Sequence, residues 1–332
     1  MPYSLSLLDK SPILDGEPAT DAIRRSVALA QAAERLGYAR FWLAEHHGAP
    51  GLASSAPEIL IAHLAARTQR IRIGSGGVLL GHYSPYKVAE TFNLLATLAP
   101  DRVDLGIGKA PGGLPFSTRA LRARQAEAAP FGELLRELND YLLDRSKASP
   151  GIDVAKAFPA PSAPPERFLL GASAESAALA AGLGWRLVFA GQLNGDPKAL
   201  ESSFETYAKS GGIGTPLLSV AALAAPTAEE ARSITDQLRV VRVSLADGQS
   251  VNLGSEEQAA EFARQAGATD FRAEIRRPHV LSGTAEDVRR ELDVLHARFG
   301  VSEFIIDTPV AATRLRATSV SLLAGEAPAL AA

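Results

Sequence analysis

The chain has 332 residues, of which 46% are hydrophobic and 21% are charged, and its formal net charge is −3. This composition is typical of a globular protein, and it excludes a disordered chain and a basic surface for nucleic acid or acidic membranes. The absence of cysteine excludes a disulfide framework, a thiolate nucleophile and a cysteine-ligated metal.

The first residues, MPYSLSLLDKSP, lack a basic region followed by a long apolar run. No apolar stretch of the sequence approaches the length that is needed to span a bilayer. We therefore expect a soluble cytoplasmic protein that has neither a signal peptide nor a membrane anchor.

Short β-forming segments recur along the chain with helical segments between them. The predicted strands are Tyr3–Leu8, Arg40–Leu43, Ile71–Ser75, Val103–Ile107, Phe168–Leu170, Arg186–Phe189, Leu217–Leu223 and Glu303–Ile306. The second, third and fourth strands follow one another at intervals of about 30 residues, which is the length of one strand–helix–strand unit.

Helix boundaries are indicated at several of the connections. Thr20 is the predicted N-cap of the first helix. Ser84 is the predicted N-cap of a later helix that ends before Pro100, and Thr284 with Asp287 resembles a capping box.

Alternating strands and helices indicate an α/β fold with a parallel sheet and helices outside it. Eight repeats favour a closed (β/α)8 barrel, or TIM barrel, and an open doubly wound sheet is the alternative. Two connections exceed the repeat length, so insertions are expected after strands 4 and 7. We expect one domain over residues 1–332, with a frayed tail at about 325–332.

The two insertions differ in character. The first is predicted to be a long helical region at about Thr118–Asp144 and a proline-rich loop, FPAPSAPPERF. The second is predicted to contain a helix, a polar loop (ADGQSVNLGSEEQ), another helix and an irregular stretch through RRPHVL. The polar loop, at about Asp247 to Glu256, is a candidate lid.

In a parallel barrel the carboxyl ends of the strands form the functional face. The second strand is followed there by AEHHGAP, which contains Glu45, His46 and His47. Since the two histidines are consecutive, an extended backbone directs only one of them into the barrel mouth. An imidazole there can serve as acid, base or donor; alternatively, the pair closes the strand by bonding to loop carbonyls. The histidine spacing predicts no metal site.

Three further segments follow predicted strands. GSGGVLL contains Gly76 and Gly77, which indicate either a flat ligand against the backbone or a bulge. GIGKAPGG presents Lys109, either to a cofactor phosphate or to solvent. LLGASAES places Ser173 and Ser176 at a helix start, where they either hold an anion or serve as ordinary capping residues.

Together these segments resemble the bacterial-luciferase-like family of flavin-dependent oxidoreductases. The resemblance is carried by FWLAEHH after the second strand, by RIRIGSGGVLL through LGIGKAPGG over the third and fourth, and by LLGASAESAALAAGLG at the fifth. It extends over most of the chain from SLLDKSP onwards. It implies a (β/α)8 barrel that binds FMN at its carboxyl face.

The resemblance also implies roles for particular residues. His46 takes the catalytic position and His47 supports it, while Glu45 lies beside the flavin. The glycine pair packs behind the isoalloxazine, often through a non-proline cis peptide, and Lys109 with the two serines binds the phosphate. The cofactor-binding residues so implied are Leu8, Glu45, Gly76, Gly77, Lys109, Ser173 and Ser176.

Three positions depart from the family pattern. Lys109 stands where arginine is usual and lacks the bidentate fork of a guanidinium. Gly191 and Gln192 stand where an aromatic residue or histidine is frequent, and Gly81 stands where proline is frequent.

The activity implied by the resemblance is that of a monooxygenase in which reduced FMN, supplied by a separate flavin reductase, and dioxygen oxidise an apolar organic substrate. A deazaflavin-dependent hydride-transfer enzyme and a non-catalytic flavin-binding protein are the alternatives. A homodimer through the helices beside the second and third strands is also implied. A metal-dependent barrel hydrolase would need a ligand cluster that the sequence does not offer.

Overall fold

The computed structural model describes residues 1–123, 129–144, 155–193, 195–246, 248 and 250–326. The strands are β1 (Ser4–Asp9), β2 (Arg40–Leu43), β3 (Arg72–Ser75), β4 (Val78–Leu79), β5 (Val103–Gly108), β6 (Glu166–Gly171), β7 (Arg186–Ala190), β8 (Leu217–Ala224), β9 (Val240–Leu245), β10 (Ser250–Leu253), β11 (Phe271–Arg276), β12 (Leu281–Gly283) and β13 (Glu303–Asp307). The helices are α1 (Ala19–Arg35), α2 (Pro57–Ala65), α3 (Pro85–Leu98), α4 (Pro115–Leu121), α5 (Phe131–Leu142), α6 (Ala174–Leu183), α7 (Pro197–Lys209), α8 (Ala228–Thr235), α9 (Glu256–Ala266), α10 (Ala285–Phe299) and α11 (Thr313–Ala324), and Leu80–His82 form a 3-10 turn.

Eight parallel strands close into a barrel with helices around it. Its strands follow the order β1, β2, β3, β5, β6, β7, β8 and β13, and β13 pairs with β1 to complete the ring. The predicted (β/α)8 fold is therefore confirmed, and the open doubly wound sheet is wrong, because the first and last strands pair in register with Leu8 opposite Asp307. The eight predicted strands are all present, with ends shifted by at most two residues.

Alternate side chains of the barrel strands enter two different cores. Leu7, Phe41 and Leu43 belong to the large cluster that packs between the barrel and its helices. Leu8 and Trp42, their immediate neighbours in sequence, belong to a smaller cluster inside the barrel. The period of two along each strand thus determines which residues reach the barrel interior.

Charged side chains occupy the floor of the barrel, at the amino ends of the strands. Arg40 lies 2.9 Å from Asp104, 2.9 Å from Glu303 and 3.0 Å from Glu166. Arg72 lies 2.6 Å from the same Asp104, which is fully buried. Since each buried charge has an opposite charge beside it, the network closes the floor without an unpaired ion.

The insertion after strand 4 differs from the predicted long helical region. It contains two helices, α4 and α5, and Pro130 occupies the N-cap position of α5. Proline restricts the residue before it to extended conformations, so a continuous helix through this position is disfavoured. Residues 124–128 lie outside the described residues.

The insertion after strand 7 contains an antiparallel sheet that was not predicted. Its strands β10, β9 and β11 pair in that order, and α9 packs on the sheet. The polar-loop prediction is wrong for Ser250–Leu253, where Val251 and Leu253 alternate with polar residues and pack into the core of this sheet. Asp247 of the proposed lid lies outside the described residues, and Glu256 begins α9.

Smaller differences concern element ends. The predicted irregular stretch is partly confirmed: residues 277–280 have no regular secondary structure, whereas Phe271–Arg276 form β11 and Leu281 begins β12, which pairs with β8. Thr20 is not an N-cap, since α1 begins at Ala19 with Pro18 in the cap position. Ser84 and Thr284 are confirmed as caps, and Thr284 forms the full capping box with Asp287. Residues 327–332 of the predicted tail lie outside the described residues.

The second insertion rests on the first. Leu114 packs into the core of the β9–β11 sheet, and the amide of Phe116 donates to Oε1 of Gln265 on α9 over 2.9 Å. The antiparallel sheet is therefore anchored to the segment that follows Lys109. Among the helices of the described residues, none is both long and apolar enough to cross a lipid bilayer.

Candidate active site

The predicted site residues follow strands that are adjacent in the barrel. Leu8 lies in β1, the EHH segment follows β2, and the glycine pair lies between β3 and β4. Lys109 follows β5, and Ser173 with Ser176 follows β6. Parallel pairing aligns the carboxyl ends of these strands, so the barrel brings the predicted residues to one rim.

His46 continues the inward-facing positions of β2, after Trp42 and Ala44. Its backbone amide donates to the carbonyl of Ser54 over 2.9 Å. Its ring is half-buried, and the buried Nδ1 has no hydrogen-bond partner within the described part of the chain. A nitrogen that is removed from both water and protein partners is suited to bond to a bound molecule.

The electrostatic surroundings keep the imidazole of His46 neutral. The pKa of this imidazole is lowered from 6.5 to about 4, mainly by burial. The nearby Lys10 ammonium also lowers the pKa, and its effect is larger than the opposite effect of the Asp307 carboxylate. A neutral imidazole at neutral pH can donate from one nitrogen and accept at the other.

The side chain of His47, unlike that of His46, is hydrogen-bonded within the protein. Its Nε2 lies 2.6 Å from Oε1 of Glu45, and its backbone amide donates to the carbonyl of Gly112 over 2.9 Å. The hydroxyl of Tyr83 donates to the same Glu45 oxygen over 2.7 Å, and the amide of Leu79 donates to Oε2 over 3.0 Å. Both oxygens of the buried Glu45 therefore bind protein donors, and this carboxylate holds His47 and the β3–α3 connection together.

Two aromatic side chains complete this cluster. Burial and the hydrogen bond to Glu45 raise the pKa of the Tyr83 phenol, which therefore stays protonated. The ring of His82 packs edge-on against that of His47 at a centroid distance of 5.6 Å and bonds through Nε2 to the carbonyl of Pro111 over 2.8 Å. Burial lowers the pKa of His82.

The peptide bond between Gly76 and Gly77 is cis. A Cβ at Gly76 would lie 2.7 Å from Cδ1 of Leu8, and a Cβ at Gly77 would lie 2.8 Å from the carbonyl oxygen of Gly106. Backbone packing therefore requires glycine at position 77, whereas at position 76 the nearest atom belongs to the end of the Leu8 side chain. The pair lies between β3 and β4.

Ser173 and Ser176 meet at the start of α6. Ser173 is the N-cap, and its Oγ accepts from the Ser176 amide over 3.3 Å and donates to the Ser176 hydroxyl over 3.2 Å. Gly171 leaves the space for the Ser176 side chain, since a Cβ there would lie 2.7 Å from its Oγ. Gly108 pairs with Leu170, so Lys109 and Gly171 leave adjacent strands side by side. Lys109 and Ser176 line one cavity of about 660 Å³.

One pair at the rim was not predicted. Lys10 follows β1 and Asp307 ends β13, and the ammonium lies 2.5 Å from Oδ2 of the aspartate. Both residues lie at the carboxyl ends of adjacent strands, close enough to act on the charge of His46. The signal that could have identified them is barrel closure, which places the end of the last strand beside that of the first.

Across the described ranges, no group of three or more histidine, cysteine, aspartate or glutamate side chains is arranged to hold a metal ion.

Comparisons with known proteins identify the family of the chain. The model of the luciferase-like monooxygenase family matches residues 1–303. The chain is 42% identical over 310 residues to the N-acetyl-S-alkylcysteine monooxygenase of Bacillus subtilis (strain 168), covering 92% of both chains. Among solved structures, apo-MsnO8 has a TM-score of 0.75 and 33% identity, with 97% of this chain and 98% of that chain covered.

More distant structures share the fold. The oxygenating constituent of 3,6-diketocamphane monooxygenase from the CAM plasmid of Pseudomonas putida, in complex with FMN, has a TM-score of 0.69 at 18% identity and covers 99% of this chain and 98% of that chain. An F420-dependent secondary alcohol dehydrogenase has a TM-score of 0.66 at 14% identity, with 100% of both chains covered. From the family match and the relatives above 30% identity, the chain belongs to the luciferase-like monooxygenase family.

Proposed function

We propose that this protein is an FMN-dependent monooxygenase that receives reduced FMN from a separate flavin reductase and uses dioxygen to oxidise an apolar organic substrate. The observation that carries the proposal is the imidazole of His46. It lies at the mouth of the family's barrel, it is neutral, and its buried Nδ1 has no protein partner in the described residues.

The residues at the rim fit a flavin. Lys109 and Ser176 line one cavity, and the hydroxyl of Ser173 donates to that of Ser176, so a phosphate would be held at the start of α6. Gly76 packs against Leu8, and the family resemblance implies that this glycine pair lies behind the flat ring of the flavin. When bound, reduced flavin supplies the electrons that activate dioxygen.

The side chains around the ring have separate tasks in this proposal. His46 bonds to the reacting centre and moves a proton there, which general acid–base residues do in other enzymes. Glu45 accepts from the amide of Leu79 and orients His47, and the His47 amide donates to the Gly112 carbonyl, so these bonds would fix the backbone on which a flavin rests. The β9–β11 sheet is anchored to α4 and to Leu114, after Lys109, and a cover from this side would exclude water from a bound flavin.

The β3–α3 connection contains the buried Leu79 and the half-buried ring of Tyr83, which would supply apolar side chains to a substrate beside the flavin. The Bacillus subtilis relative is named for N-acetyl-S-alkylcysteine. We therefore propose alkyl thioethers as the first substrates to test, since an alkyl chain fits an apolar mouth.

The test combines flavin titration with oxygen consumption. We expect the purified protein to bind FMN and to couple oxygen uptake to product formation when a flavin reductase and NAD(P)H are added. His46→Ala should retain flavin binding and lose turnover by about a hundredfold or more, because it removes an acid–base group but no phosphate ligand. Unchanged oxygenation by this variant would refute the role of His46.

The same experiment separates the alternatives. Product formation with a reduced deazaflavin and without oxygen uptake would show hydride transfer instead. Flavin binding without turnover of any thioether, ketone or alkane tested would favour a non-catalytic flavin-binding protein. Absence of binding to oxidised and reduced FMN would refute the proposal itself.

We also propose that the protein acts in the cytoplasm as a homodimer. Apolar side chains are exposed on two helices that pack beside each other, with Ile59 of α2 66% exposed and Leu94 and Leu98 of α3 50% and 67% exposed. Exposed apolar groups on neighbouring helices are typical of a surface that a second copy covers.

A further inference from the structure

The cavity beside Lys109 extends from the end of β5 along the first two turns of α5 and along α6 as far as Leu183. It has a volume of about 660 Å³, and its lining includes Lys109, Gly132, Arg136, Glu175 and Ser176. Two of these side chains are cationic and one is anionic. The cavity therefore combines a positive balance of charge with the hydroxyl of Ser176.

Arg136 reaches this cavity from the second turn of α5. Its guanidinium lies back over Gly132, since a Cβ at that glycine would be 3.6 Å from Nη1 and 3.8 Å from Nη2. Gly132 is four residues earlier and shares a helix face with Arg136. The absence of a side chain at Gly132 leaves the guanidinium space at the amino-terminal end of α5, on the cavity side.

Neither cation is neutralised by the part of the protein that the structure describes. Lys109 and Arg136 form no ion pair with a carboxylate of the described residues, whereas Arg40, Arg72 and Arg186 of the barrel floor are each paired. Two unpaired cations that face one cavity repel each other, and a bound anion would remove that repulsion.

We propose that Arg136 is a second cationic ligand of the cofactor phosphate and supplies the planar guanidinium fork that Lys109 lacks. The inference rests on the proposed function and adds a residue that the sequence patterns did not indicate. A guanidinium can bond to two phosphate oxygens at once, whereas an ammonium acts as a point charge. The positive charges of Lys109 and Arg136 together match the charge of a phosphate monoester dianion. The carboxylate of Glu175 lines the same cavity and would repel that dianion.

The test compares FMN with riboflavin, which has the same ring but no phosphate. We expect the wild type to bind FMN more tightly, as measured by quenching of flavin fluorescence. Arg136→Ala should weaken FMN binding by about tenfold to a hundredfold, in the range for a charged hydrogen bond, and leave riboflavin binding unchanged. It should also reduce the salt dependence of FMN binding.

Two variants serve as comparisons. Arg136→Lys keeps the charge without the fork and should lie between the wild type and Arg136→Ala. Arg35→Ala removes one positive charge from the exposed end of α1 and should bind both flavins as the wild type does. Circular dichroism and thermal unfolding verify that each variant is folded, and Arg136→Lys decides the question if Arg136→Ala is not.

The outcomes separate this inference from the proposed function. A wild type that prefers FMN, with the preference retained in Arg136→Ala, would overturn the role of Arg136 and leave the monooxygenase proposal intact. Equal losses for FMN and riboflavin would show a structural role instead and would also overturn it. A wild type that binds neither flavin, oxidised or reduced, would refute the proposed function and this inference with it.

Discussion

Glu45, His46 and His47 are consecutive in the chain, yet among the described residues only His46 has a side chain without a protein hydrogen bond. Alternation along the strand predicted that one of the two histidines faces the barrel mouth, and His46 continues the register of Trp42 and Ala44, which belong to the inner core. The partners of the other two were not predicted. Tyr83, which joins Glu45 and His47, is 36 residues beyond His47, and only the β3–α3 connection brings it there.

The pKa of His46 gives a prediction for stability. It is lowered to about 4 from 6.5, mainly by burial, so between these pH values the unfolded chain binds a proton that the folded chain does not. The contribution of His46 to the unfolding free energy therefore falls as the pH drops through this window and is constant above it. We expect His46→Gln to flatten the pH dependence of the unfolding free energy from about pH 6.5 down to 4.5 in urea titrations.

The control for this measurement is His63→Gln, which alters an exposed histidine of α2. It should keep the wild-type slope. Equal slopes for the wild type and His46→Gln would contradict the prediction. A separate NMR titration measures the pKa of His46 directly. Lys10→Met should raise this pKa, because the substitution removes the neighbouring ammonium.

The two glycines of the cis peptide differ in what surrounds them. An added methyl at Gly77 meets the Gly106 carbonyl, which is backbone, whereas at Gly76 it first meets the end of the Leu8 side chain, which can rotate. We expect Gly77→Ala to lower the unfolding free energy by about 1–3 kcal/mol and Gly76→Ala by less. Chemical denaturation measures both, and a larger effect at Gly76 would contradict the steric argument.

At the scale of elements, the barrel strands were predicted well and the second insertion poorly. Most residues of the barrel strands are buried and apolar, and turn residues flank these strands, so they are recognisable in the sequence. The segment Ser250–Leu253 alternates polar and apolar residues over only four positions. Its conformation depends on pairing with β9, so local pattern alone could not distinguish it from a loop.

The ion network of the barrel floor also belongs to this scale. Arg40 is buried and lies within ion-pair distance of Asp104, Glu166 and Glu303. Arg40→Met would leave buried carboxylates with fewer cations, so we expect the unfolding free energy to fall by about 3 kcal/mol. Guanidinium titration measures the change, and Arg290→Met, which breaks exposed pairs on α10, should have little effect. A similar loss in both variants would contradict the assignment.

At the scale of the molecule, we propose that residues 1–332 act as one domain, because the insertions rest on the barrel and on each other through α4 and α9. The phosphate region illustrates why the whole fold matters. The sequence alone predicts that lysine at position 109 binds a phosphate less tightly than arginine would. The helix that supplies Arg136 faces the same cavity, and this became evident only from the packing of α5 beside α6.

The homodimer has a direct test. If α2 and α3 form the interface, Leu98→Asp places a charge in it and should shift the protein to a monomer in sedimentation velocity. Val294→Asp, at a position of α10 that is 58% exposed, is the matched control and should remain dimeric. A monomeric wild type, or a Leu98→Asp variant that stays dimeric, would refute this surface.

The sequence by itself determined the eight strands and the order of the rim segments, because hydrophobic period, glycine positions and helix caps are local properties of the backbone. Its motifs also carried the resemblance to the family. Only the tertiary structure decided which distant groups meet. The pairing of Lys10 with Asp307, 297 residues apart, required closure of the barrel. Three features depended on how loops and helices pack: the hydrogen bonds to Glu45, the sheet in the second insertion and the cavity that Lys109 and Arg136 share. Side chains that are far apart in sequence give no local indication that they are in contact. Only the fold therefore shows which groups meet at the rim.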